Sequence, residues 1–130
     1  MLFVPGDRPD RFPKAVGSGA DAVILDLEDA VTPDRRSYAR QAIAEYLRGP
    51  RQGVPVWVRI NPVDSADVLA DLAARFEARI HVHASETIGE MQLVAKRHGG
   101  RSPIQVLDDT KLLRRAVLAH GVHLDDTDIA

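Results

Sequence analysis

The 130-residue chain is 45% hydrophobic and 28% charged, with 17 basic against 19 acidic groups, a balance that suits one globular domain with its own core. A net charge of -2 leaves no electrostatic footprint for a nucleic-acid binder, and the lack of cysteine excludes disulfides, thiolate metal sites and cysteine nucleophiles and fits a reducing cytoplasm. No apolar run approaches the ~20 residues of a membrane helix, and Pro5 and Gly6 interrupt the opening segment too early for a signal peptide.

Apolar runs alternate with helical patterns, as expected of βαβ units around a parallel sheet. Leu2-Phe3-Val4 reads as a first strand stopped by Pro5-Gly6, and Pro9 and Asp10 open a helix to about Val16, ended by Gly17-Ser18-Gly19. Ala22-Val23-Ile24-Leu25 reads as a buried second strand running into Asp26-Leu27-Glu28-Asp29. Thr32 or Asp34 is expected to cap a helix over about 33–47, and after a turn at 49–53 a third strand spans 54–60, closed by Pro62. Val68, Leu69, Leu72 and Phe76 share one face of a further helix, and 79–83 alternates as a fourth strand. Helices follow over 87–97 and 103–113, then Ala116-Val117-Leu118-Ala119 as a fifth strand, and Asp125 or Thr127 begins a last helix. The expected fold class is α/β: an incomplete (β/α) TIM-barrel-like parallel sheet of about five strand–helix units. One partial barrel is expected over 1–130, built from a segment 1–64 and a segment 65–130 that carry different chemistry. All five histidines lie between positions 81 and 123, whereas seven of eight prolines lie at or before 62.

In parallel α/β proteins the reactive groups gather where strands run out at their carboxyl ends. Three such ends are polar here: Pro5-Gly6-Asp7-Arg8, Glu28-Asp29, and Arg59-Ile60-Asn61. Arg59 offers a bidentate fork for a substrate carboxylate, and Glu28 and Asp29 offer hard oxygen ligands for a divalent cation. The same spacing equally suits salt bridges and helix caps among Asp26, Glu28 and Asp29.

Leu-Phe-Val-Pro-Gly-Asp-Arg-Pro-Asp-Arg-Phe, Gly-Ala-Asp-Ala-Val-Ile-Leu-Asp-Leu-Glu-Asp-Ala-Val and Val-Trp-Val-Arg-Ile-Asn-Pro, in that order over residues 2–62, resemble the start of the citrate lyase beta-subunit family. The resemblance implies a TIM barrel and magnesium-assisted carbon–carbon cleavage or formation in a 3-hydroxyacyl-CoA of the citryl-CoA or malyl-CoA type. It places Arg8 near the CoA phosphates, Glu28 and Asp29 beside metal and substrate, and Arg59 on the oxo-acid carboxylate. The family's direct metal ligands come from later strands, a Glu after a Val-Leu-Pro-Lys-like strand and then an Asp, and neither pattern occurs in this sequence.

His81 and His83 alternate on the fourth strand and so point to one face; Glu86 follows, and His120 and His123 end the fifth strand. Imidazoles and a carboxylate at successive strand ends suit a Zn2+ or Fe2+ hydrolase with metal-bound water, and equally suit histidines satisfied by backbone groups at a loop mouth. Ile-His-Val-His-Ala-Ser-Glu-Thr and Val-Leu-Ala-His-Gly-Val-His-Leu-Asp-Asp, within residues 80–126, resemble the amidohydrolase superfamily in its aminohydrolase branch. That resemblance implies His83 as a metal ligand, Glu86 as the proton shuttle and His120 as the histidine near the metal, with His81 and His123 less secure. The family's first His-x-His pair and its final-strand Asp are absent from this sequence.

There is no phosphate-loop Gly-Lys-Ser/Thr, no Gly-x-Ser-x-Gly elbow and no dinucleotide fingerprint. Three expectations stand: a citrate-lyase-like carbon–carbon lyase, truncated and catalytically incomplete; a metal-dependent aminohydrolase fragment; or a fused, non-catalytic protein. The implied ligand is an acyl-CoA or oxo-acid, the compartment is the cytoplasm, and nucleic acid and membrane are not expected partners. Open sheet edges at the first and fifth strands imply a homo-oligomer.

Overall fold

Short runs dominated by Val, Ile, Leu and Ala form five strands: β1 (Leu2–Pro5), β2 (Val23–Asp26), β3 (Val56–Arg59), β4 (Arg79–Ala84) and β5 (Ala116–His120). They pair in parallel in the order β1-β2-β3-β4-β5. A computed structural model describes residues 1–50, 53–65, 67–68, 71, 76, 78–111 and 113–129. Between the strands lie α1 (Phe12–Val16), α2 (Arg36–Arg48), α3 (Ile88–Arg97) and α4 (Pro103–Asp109), and α5 (Asp126–Ile129) follows β5. The chain is thus the α/β, TIM-barrel-like alternation expected, with five strands in one open sheet. Among the described residues, no helix is long and apolar enough to cross a membrane.

Side chains alternate along each strand, so the sheet has two different faces. Val4, Leu25, Val58, Ile80 and Val82 face the helices and pack with Phe12, Ile43, Leu47, Val94 and Leu107 in one buried core. Each such aliphatic or aromatic side chain, fully buried, contributes roughly 1.5–3 kcal/mol. The opposite face carries Phe3, Asp26, Arg59, His81 and His83, and the register sets Pro5, Asp26, Arg59 and His81 side by side across four strands.

Several boundaries differ from expectation for local reasons. β3 begins at Val56 rather than 54, because Pro55 has no N–H for the ladder and serves only as acceptor from Val23. The second helix opens as a tight 3-10 turn, Pro33–Arg35, and neither Thr32 nor Asp34 caps it; Thr32 is extended, with no side-chain cap bond. The helix from Pro103 ends at Asp109 instead of 113, where Lys111 enters the left-handed region at φ 59° and a 3-10 turn, Leu113–Arg115, leads into β5. Thr87 caps α3 by accepting from Glu90 N, and Ser102 and Gln105 form a capping box on α4. Of the apolar face expected around 68–76, Val68 and Phe76 are buried, and Leu69 and Leu72 lie outside the described residues.

Candidate functional site

Arg59, at the end of β3, is the centre of a carboxylate cluster. Its Nε and one terminal nitrogen donate to both oxygens of Asp26, at 2.7 and 2.5 Å, a bidentate fork onto a side chain that is 1% exposed. The other terminal nitrogen lies 3.2 Å from Glu28 and 3.0 Å from Asp29. These partners, with the Asp26 hydrogen bond foremost, outweigh burial and raise the Arg59 pKa further above its ordinary value. Asp26 also accepts from the backbone N–H groups of Glu28 and Ala30, which fold the chain back just beyond β2. Phe3 lies under the Arg59 guanidinium, 4.9 Å from ring centroid to carbon, a cation–π contact.

Glu28 turns its second side toward the histidines. Its Oε1 lies 2.9 Å from His83 Nδ1, and its Oε2 is buried without a hydrogen-bond partner. The His83 ring lies 5.1 Å from that of His120, whose Nε2 is 3.6 Å from Glu86, too long for a hydrogen bond. His81 packs edge-on to Phe3 and His83, and burial first, then the neighbouring His83 and Arg59, push its pKa below the ordinary imidazole value.

The expected site residues therefore meet, with one exception. Glu28, Asp29, Arg59, His83, His120 and Glu86 form a chain of neighbours across β2 to β5. Arg8 is bidentate on Asp10 and, with Arg11 and Lys14, lines a separate cleft of about 480 Å³ beside β1. The backbone N–H of His123 donates to Ser85 O, which fixes the turn after β5.

Asp26 is the principal Arg59 partner and accepts from the N–H groups beyond β2, in keeping with the salt-bridge and cap reading of Asp26, Glu28 and Asp29. One group that holds the site escaped the motif reading. Glu90 is buried and accepts from the N–H groups of Ser85 and Glu86, at 2.9 and 2.7 Å, fixing the loop that carries Glu86 while Ser85 sits at φ 56°. Its signal was Thr87-Ile88-Gly89-Glu90, the spacing of a capping box.

Glu28 and Asp29 suit a hard cation, since Mg2+ keeps several waters and needs only one or two carboxylates; both face the Arg59 guanidinium, and Glu28 Oε2 lies 3.2 Å from it without a hydrogen bond. His83 and His120 do not suit a zinc or iron centre. Such a centre needs three protein ligands, and among the described residues no group of three or more His, Asp or Glu side chains is arranged to hold a metal ion.

A family model described as HpcH/HpaI aldolase/citrate lyase matches residues 1–83, and one described as amidohydrolase family matches residues 53–130. A citrate lyase subunit beta-like protein of Mycobacterium tuberculosis is 47% identical over 73 residues, 56% of this chain and 25% of the relative. An L-malyl-CoA/beta-methylmalyl-CoA lyase of Cereibacter sphaeroides is 46% identical over 66 residues, 50% of this chain and 21% of the relative. A 5-methylthioadenosine/S-adenosylhomocysteine deaminase of Symbiobacterium thermophilum is 44% identical over 71 residues, 53% of this chain and 16% of the relative. The solved citrate lyase beta subunit from M. tuberculosis complexed with oxaloacetate and magnesium superimposes with a TM-score of 0.53 at 34% identity, covering 72% of this chain and 42% of that one. The chain thus spans about a quarter or less of the length of these curated relatives.

Proposed function

From a chain that belongs to the HpcH/HpaI aldolase/citrate lyase family through its first part and to the amidohydrolase family through its second, we propose a CoA-ester lyase lineage whose first segment binds an oxo-acid or its 3-hydroxyacyl-CoA. The substrate is of the citryl-CoA or malyl-CoA type, Mg2+ is the cofactor, the compartment is the cytoplasm, and the chain acts as a homo-oligomer. One observation carries the reading: Arg59 is locked from one side by Asp26 and turns its remaining nitrogen toward buried Glu28 and toward Asp29, whose side chain is 75% exposed.

An exposed ion pair contributes little, so a substrate carboxylate can replace Asp29 on that nitrogen while the Asp26 fork keeps the guanidinium aimed. Glu28 and Asp29 would hold Mg2+, which supplies Lewis-acid stabilisation of enolate charge when bound. Phe3 shields the guanidinium from one side, which strengthens the ionic contact to a bound acid. Arg8, on the β1 side, would bind a CoA phosphate by exchanging its exposed fork on Asp10 for it. Segments 1–64 and 65–130 would contribute to one partial barrel.

The test is to mix purified protein, Mg2+ and malyl-CoA or citryl-CoA and follow acetyl-CoA and the released oxo-acid. Release that disappears in Arg59→Lys, which keeps the charge but loses the fork, supports the lyase. Oxaloacetate binding without release marks a non-catalytic ligand-binding protein of the same lineage, and absence of both overturns the reading. The amidohydrolase match over residues 53–130 supports a second reading, an aminohydrolase fragment whose His83, His120 and Glu86 do not by themselves hold a metal; stoichiometric zinc or iron lost in His83→Ala would support it.

A further inference from the structure

Next to the Arg59 cluster lies a second buried polar network, centred on Asn61 and Asp71, each 1% exposed. The Asn61 Nδ2 donates to Leu27 O at 3.1 Å and to Asp71 Oδ2 at 2.8 Å, and the Asn61 backbone N–H donates to the same Asp71 oxygen at 2.8 Å. The other Asp71 oxygen accepts from Arg40 Nε at 2.6 Å, which ties the pair to α2. Past the last paired residues of β2 and β3, the Leu27 N–H still donates to Arg59 O. In a parallel ladder the next bond would run from the Asn61 N–H to Leu27 O. Here the Asn61 side chain makes that bond, and Asp71 takes the backbone donor.

Packing alone does not ask for this arrangement. With two acceptors on its Nδ2 side the amide has one orientation, which leaves Asn61 Oδ1 buried without a partner. Apolar side chains of the same shape hold a core equally well and leave no acceptor unmet. What the amide supplies is control of the Leu27–Glu28 peptide. That peptide is held at both ends: its carbonyl by Asn61, and its N–H by Asp26 Oδ1 at 2.9 Å, the same oxygen that accepts from Arg59 Nε.

We propose that Asn61, anchored by Asp71, is a positioning residue for the oxo-acid site: through the Leu27–Glu28 peptide it sets where Glu28 and Asp29 stand relative to the Arg59 guanidinium. Released from Asn61, the peptide plane tilts and the Asp26 fork loosens with it. The two carboxylates then no longer frame the nitrogen that a substrate carboxylate would take. This rests on the reading of Arg59 as the carboxylate site and adds the residue that fixes its surroundings.

Calorimetric titration of the full chain with oxaloacetate, joined to amide exchange, tests it. Asn61→Ala and Asp71→Asn are expected to raise the oxaloacetate dissociation constant by about tenfold and about threefold. Both are expected to speed exchange at Leu27 and Glu28. The Ser85 and Glu86 amides, held by Glu90 beyond β4, should keep their wild-type rates, whereas a general loss of stability would speed all four. Asp71→Asn keeps the size of the side chain, so it carries the same test if Asn61→Ala does not fold. Folded variants that bind oxaloacetate like wild type overturn the positioning role and leave the carboxylate site standing. Equal acceleration of all four amides overturns it as well. A wild type that does not bind oxaloacetate overturns the carboxylate site and the proposal with it.

Discussion

The ends of β2 and β3 and the ends of β4 and β5 carry comparable polar groups and hold them in unlike ways. At β2–β3 a guanidinium forks onto a buried aspartate, that aspartate caps the next turn, and every contact is within 3.2 Å. At β4–β5 the imidazoles of His83 and His120 lie near one another without a shared partner, and Glu86 stops short of His120. A buried ion pair must be matched closely or it destabilises the fold, so the β2–β3 end is rigid by necessity. Partly exposed imidazoles are solvated where they stand and need no such match. The first region therefore has a closely matched ion-pair geometry, and the second has the right side chains without the geometry that would bind metal.

Arg59→Ala breaks this contrast most strongly. It leaves Asp26 buried beside Glu28 with no cation, and the expected loss is about 3–5 kcal/mol in urea unfolding. A loss below 1 kcal/mol would mean that the backbone donors of Glu28 and Ala30 suffice to hold Asp26. Gly6→Ala comes next. A Cβ there would meet Asp26 O at 2.6 Å and Ile43 Cδ1 at 2.8 Å, so β1 must move off β2. The expected cost lies toward the upper end of the roughly 1–3 kcal/mol of an overpacked core, with weaker oxo-acid binding because Asp26 shifts.

Much of this contrast was legible in the residues. Parallel strands buried on both faces appear as continuous aliphatic runs, so β2 stood out; β5 carries a similar run although it is a half-exposed edge strand, and Pro5, Gly17 and Gly49 punctuated the chain. The meeting of Glu28 with His83 was not legible. It depends on β4 being the second neighbour of β2 and on the pairing of Arg59 with His81, a register set by the sheet over long sequence separation. Asp26 was visible as a salt-bridge candidate, but its partner Arg59 was not, because that pairing is decided by the neighbouring strand. Thr32 looked like a cap, but Pro33 and a 3-10 turn leave its hydroxyl without a cap bond.

The β4 side gives a smaller effect through Glu90→Ala. Two N–H groups at Ser85 and Glu86 lose their acceptor, and Ser85 is held at a positive φ that few non-glycine residues adopt. A loss of about 2 kcal/mol is expected, with faster amide exchange at both positions. Smaller still is an acid effect on Asp67, which pairs with Arg36 and Arg40 of α2 at 2.5 Å each. Burial raises the Asp67 pKa, but hydrogen bonds from Arg36 and Arg40 outweigh it and leave it below the ordinary 3.8. A carboxyl lowered on folding stabilises fully above its unfolded value, and that contribution is lost as pH falls from about 3.8 through the lower folded value. Asp67→Asn should flatten that acid limb of the Tm profile and leave the neutral region nearly parallel to wild type.

The smallest expected effect falls on the contact that joins the two regions. Glu28 lies 2.9 Å from His83, yet Arg59 already lies 3.2 Å from the same carboxylate and the His83 side chain is 23% exposed. Losing the imidazole leaves Glu28 with its guanidinium neighbour and admits water to the freed oxygen. A double-mutant cycle of Glu28→Gln and His83→Asn should therefore give a coupling of about 0.2–1 kcal/mol, the range of a partly solvated pair. A coupling above about 2 kcal/mol would place it with interactions of one shared network. The strand ends of β2 and β4 would then act as a single unit, and the contrast between a built first region and a loose second one would fail at the residue where the two meet.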